Sequence, residues 1–182
     1  MTVNRKHRTQ RIGALALVFV LLANILTGAL ALVYALTDTE APNNLIGVQI
    51  TDTDGNALAS TAASDSADQT VTVDRTEAFQ LHYDWALGGS APQAGESFTS
   101  LLPLQLQVVT AQQGSLTAAD GTVIADYALT TDKRLTVTYA AAAADYPEAA
   151  GTFTLQVGFD AETLPAEADT VTLLFQLADR QQ

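Results

Sequence analysis

Any chemistry in this chain would have to run through very few side chains. Outside a basic N-terminal head there is one histidine, His82, and the chain has no cysteine. A single imidazole without thiols does not assemble a zinc site. A Ser/His/Asp arrangement would have to pass through His82, and no nucleophile-elbow signature lies near it. Twenty acidic residues permit a carboxylate pair anywhere, so their number selects none. The stretch "TDTDGN" (51–56) starts like a calcium loop but lacks the closing glutamate, and reads as a turn on Asp54 and Gly55. Calcium held by carboxylates from separate loops stays as an alternative. Gly88 and Gly89 open a turn rather than a helix, so they offer no phosphate cradle. These residues specify no catalytic, cofactor or metal site, and the expectation is a non-enzymatic protein.

The remaining candidate is "FQLHYDWALGGSAPQAGESFTSLLP" (79–103), which holds His82 and the only tryptophan, Trp85. Within it Phe79, Leu81, Tyr83 and Trp85 alternate with Gln80, His82 and Asp84, the period of a half-buried antiparallel strand. Trp85 is therefore expected in a core, His82 on the wetter face, and residues 88–95 in an end loop. A ligand, if gripped, would meet the end loops and an exposed edge strand; the ligand-binding residues are unknown at this level.

Other segments share that period. Strands are expected over 45–51, 70–74, 78–87, 97–110 with an interruption at Pro103, 121–130, 134–140, 151–160 and 169–178. "TDK" (131–133) turns a hairpin, "ALASTAASDSADQ" (57–69) reads as a loop, and the alanines of 141–151 allow one short helical connection before Pro147 and Gly151. Short strands with turn signals between them argue for an all-β sandwich.

Charge and hydropathy divide the chain. Arg5, Lys6, Arg8 and Arg11 precede an uncharged run over 12–36, long enough to span a hydrocarbon core. After Leu36 four basic residues face twenty acidic ones, about −16, which repels phosphate backbones and excludes nucleic acid as an expected partner. Residues 1–36 are read as a signal peptide or an uncleaved N-terminal membrane anchor, 37–44 as a linker, and 45–182 as the sandwich. Val33 and Ala35 suit the −3 and −1 positions of a cleavage site, while the positive-inside rule places the acidic body outside in either case. The expected location is extracellular, at the cell surface or membrane-anchored with the C-terminal domain outside. An exported body of this size without disulfides must rely on its core.

Three stretches in order resemble an immunoglobulin-like adhesion subdomain of Gram-positive surface adhesins, the group of collagen- and fibrinogen-binding proteins. They are "LHYDWAL…AGESFTSLLP", "LTAADGTVIADYALTTDKRLTVTYA" and "EAAGTFTLQVGFD". The resemblance implies a variant Ig fold and a non-catalytic module binding an extracellular-matrix or plasma protein, or a glycan. The family's two-domain groove with its latch is not carried over, because one such domain fills the length. Its Lys–Asn crosslink is not expected either, since Lys133 is the only lysine after the head and lies in a hairpin turn. A structural spacer or pilus-like component without a host ligand, or a sensory domain of an anchored protein, are the alternative expectations.

Overall fold

The computed structural model describes residues 40–62, 64, 68–74, 78–164 and 169–178. The apolar stretch 12–36, expected as signal or anchor, lies outside the described residues. Among the described residues no helix is long and apolar enough to cross a membrane. The strands are β1 (Leu45–Asp52), β2 (Ala57–Ala62), β3 (Asp68–Asp74), β4 (Ala78–Ala86), β5 (Ser97–Leu101), β6 (Leu106–Gln107), β7 (Gln112–Thr117), β8 (Val123–Leu129), β9 (Arg134–Tyr139), β10 (Ala150–Phe159) and β11 (Thr170–Gln176). A 3-10 turn, Ala141–Asp145, fills the alanine-rich connection.

All strand pairs are antiparallel. β2-β1-β4-β10-β6 make one sheet, β5-β9-β8-β7 a second, and β11-β3 a two-stranded third. Two ring contacts show which faces meet. Tyr83 of β4 stands edge-on to Phe175 of β11 at 6.2 Å, and Phe153 of β10 lies 4.6 Å from Tyr127 of β8. The five-stranded sheet is thus one layer, and the two smaller sheets cover it. The Ser100 hydroxyl of β5 donates to the Gln176 carbonyl at 3.5 Å, which sets β11 beside β5. This is the all-β sandwich the alternation implied.

β4 turns Phe79, Leu81, Tyr83 and Trp85 inward, none more than 2 % exposed, and leaves Asp84 in solvent. Each side chain of this kind contributes about 1.5–3 kcal/mol on full burial. The interruption at Pro103 separates β5 from β6, as expected. Two strands, β2 and β7, stand where no strand was expected: the first falls in the stretch read as a loop, the second over "QQGSLT".

Residues 40–44, read as part of a linker, are stitched to the sheets. Glu40 bridges Ser97, the Ala41 amide donates to the Ser97 carbonyl at 2.8 Å, and Ala41 is buried. Asn44 is buried too, and its side-chain amide donates to the Tyr139 hydroxyl at 2.8 Å. Burial pushes that phenol up to about 12, and the Asn44 contact works against the rise.

Turns are closed by aspartates. Asp52 accepts from the amides of Asp54 and Asn56 and from the Asn56 side chain, with Gly55 at φ 87° completing the β1–β2 turn. Asp120 accepts from the Thr122 amide, and Asp132 from the Thr130 hydroxyl. After β10, Asp160 pairs with Lys133 at 3.0 Å. These bonds hold all four carboxyls below their usual range, led respectively by Asn56, the Thr122 amide, Thr130 and Lys133.

Two outcomes follow. Replacing Asn44 by Ala strands the buried Tyr139 hydroxyl, which should cost about 1–3 kcal/mol in chemical unfolding of 37–182; an unchanged midpoint would contradict this anchoring of residues 40–44. A carboxyl depressed by folding adds stability above its unfolded pKa and loses it as pH falls through the folded value. The melting temperature should therefore drop as pH is lowered from about 5 to about 2. Lys133→Met should shrink that drop, and a melting temperature that rises on acidification would contradict it.

Candidate functional site

Trp85 is the core residue its alternation implied. Its indole lies against Gly151 of β10, where an added Cβ would meet the indole nitrogen at 3.1 Å. Glycine at 151 is what lets the ring lie flat under the strand, so no face of it is free for a ligand.

His82 is on the outer face of the five-stranded sheet, in register with Gln49 of β1 and Thr154 of β10. Its Nε2 is 3.0 Å from the Thr51 hydroxyl, and its Nδ1 is 2.9 Å from the Thr154 hydroxyl. A neutral imidazole donates from one nitrogen and accepts at the other, and a hydroxyl serves either role. Both nitrogens are thus occupied by threonines on flanking strands, which makes His82 a tie across three strands. Among the described residues no three His, Asp or Glu side chains are placed to hold a metal ion.

Lys133 sits in the hairpin turn with φ 69°, a left-handed conformation uncommon outside glycine. Its ammonium donates to the Leu104 carbonyl at 2.7 Å as well as pairing with Asp160. Three loops at one end of the sandwich are clasped by this one side chain.

At the opposite end, the loop 88–95 is tied down by backbone bonds. The Leu87 amide donates to Ala149, the Gly89 amide to Pro147 and the Gly95 amide to Tyr139, each at 2.9 Å. Beside it lies an open recess of about 540 Å³ lined by Asp120, Asp145, Tyr146, Glu148 and Ala150. The Tyr146 hydroxyl donates to Asp120 at 2.7 Å, so one acid is engaged while the recess remains acidic.

The feature that sequence reasoning missed is the free side of β10. This strand pairs with β4 from Ala150 to Gly158, but on its other side, among the described residues, only Gly158 and Phe159 meet a strand, β6. Where a further strand would continue, the side chain of Gln112 stands in. Its Nε2 donates to the Gln156 carbonyl at 2.7 Å, and its Oε1 accepts from the Gln156 amide at 2.8 Å. A cleft of about 390 Å³ opens there, lined by Gln107, Val109, Gln112, Gln156, Val157 and Phe159. Val109 is 78 % exposed. Nothing in "TAQQGS" distinguishes this glutamine from any surface glutamine, because its partner lies 44 residues away.

Comparison with known proteins places this architecture. No curated protein and no solved structure matches the chain. A family model does, over residues 72–169, more than half of the 182, from within β3 to the threshold of β11. By that match, and by the two-layer antiparallel sandwich it runs through, the chain belongs to the bacterial Ig domain family.

Proposed function

We propose that this protein is an exported, non-catalytic binding module held at the bacterial surface, presenting its Ig-like sandwich to an extracellular protein or glycan. Bacterial Ig domains are typically extracellular surface modules, and the basic head with the apolar run 12–36 supplies a route for export.

The observation that carries display over spacing is where the chain enters and leaves the sandwich. The Ala178 amide donates to the Leu45 carbonyl at 2.6 Å, and the Asn43 side chain donates to the Gln176 carbonyl at 3.2 Å. Both connections therefore sit at one end. A strut gains length when the chain enters and leaves a domain at opposite ends; here residues 43–45 and 176–178 lie together at one end. The far end and flanks stay open for a partner.

The test is binding of purified 37–182 to collagens, fibrinogen, fibronectin and a glycan panel at physiological salt. Saturable binding that persists when salt is raised is the expected result, since a folded acidic body should not depend on charge alone. A cooperatively folded domain that binds none of them would contradict the proposal and favour the spacer.

A further inference from the structure

We infer that the open edge of β10 is a docking strip for an extended polypeptide, with the Gln112 side chain as its removable guard. This rests on the display reading above and adds to it the ligand class and the place of contact.

The strip exists because one stretch of chain changes sheets. β6 pairs with β10 for two residues, bends at Val109 and Thr110, and continues as β7 in the opposite layer, paired with β8. The edge of β10 preceding Gly158 is left behind. Gln156 turns its amide and carbonyl outward, as its bonds to Gln112 show. Backbone groups repeat this direction every second residue. Thr154 and Thr152 therefore present an amide and a carbonyl each to the same side, where among the described residues no strand meets them.

Exposed edges are ordinarily guarded by a bulge, a proline, a charge or a cover. Of the other outer strands, β2 and β7 show register shifts against their partners, at Ile50/Thr51 and at Leu116/Thr117, whereas β5 pairs with β9 without one. β10 pairs with β4 in unbroken register and has no proline or charged residue from 150 to 159. Its guard is one carboxamide.

That carboxamide identifies the occupant. A glutamine amide is chemically a peptide group, and here it makes the two bonds that one residue of a neighbouring strand would make. An extended backbone can replace it bond for bond and gain two further residues' worth of pairing at Thr154 and Thr152. A sugar offers no such repeating donor and acceptor. The flanks add side-chain preferences: Val109, Val157 and Phe159 line the cleft at one end, while Asp120, Asp145 and Glu148 line the recess beside Ala150 at the other. The fitting ligand is a strand-forming segment with an apolar residue towards one end and Lys or Arg towards the other.

The experiment uses the full chain in mild detergent and a phage-displayed library of random twelve-residue peptides. The enriched peptide is resynthesised with N-methyl groups on alternate residues, in each of the two registers. One register should weaken binding about tenfold or more and the other should not, because only one set of amides faces β10. Gln112→Ala should tighten binding severalfold by removing the competing amide. Thr152→Pro removes an outward amide without touching the β4 ladder, and should weaken binding about tenfold at unchanged melting temperature. The inference is overturned if no peptide is enriched, if both N-methylated registers bind like the parent, or if Thr152→Pro abolishes a self-association, which would make a second copy the occupant. Binding of a panel protein or glycan that ignores Thr152→Pro would overturn it while leaving the display reading intact.

Discussion

The structure depends on the two-faced character of β4. Its inner residues, Phe79, Leu81, Tyr83 and Trp85, form the wall on which the second layer rests. Its position at the centre of the five-stranded sheet, with β1 on one side and β10 on the other, follows from having both ladders satisfied. A slip of one residue would send Gln80, His82 and Asp84 inward and the four apolar side chains into water. The outer face helps to fix the register as well, since the His82 ring reaches hydroxyls on both flanking strands at once.

Fixing β10 beside β4 has a consequence on its other side. The chain from β6 to β7 serves both layers and completes neither edge. The core beneath that gap is nevertheless sealed. The Tyr127 ring crosses the backbone of β7 at Gly114, where an added Cβ would lie 2.7 Å from the phenol oxygen, and rests on Phe153. With the hydrophobic interior closed by an aromatic ring, the backbone of β10 can stay accessible without exposing the core. Polar backbone at an edge is costly only when buried without partners; in water it is a template for another strand.

What could be read from the sequence follows burial. Strands with one apolar face, such as β4, β9, β10 and β11, announce themselves by alternation, and the core position of Trp85 came with it. β2 and β7 escaped because they sit at edges: no residue of β2 is buried, and β7 buries only Leu116. Without a half-buried face there is no period to detect. The stitching of residues 40–44 was hidden for a related reason. "EAPNN" is polar, and what holds it is hydrogen bonds to Ser97, Tyr139 and Gln176, partners that composition does not reveal. The Gln112 guard belongs to the same kind, a long-range pairing between a side chain and a backbone. The sequence-level expectation of the end loops and an exposed edge strand as the place for a ligand did not single out β10.

The central claim is that β10 has one satisfied edge and one open edge. Residue-resolved amide hydrogen exchange on the free protein tests it most directly. Phe153 and Leu155, whose amides face β4, should rank among the slowest in the domain, while Thr152 and Thr154, which alternate with them, exchange orders of magnitude faster. Uniform protection along the whole of β10 would mean that its second edge is already covered, and would contradict the account.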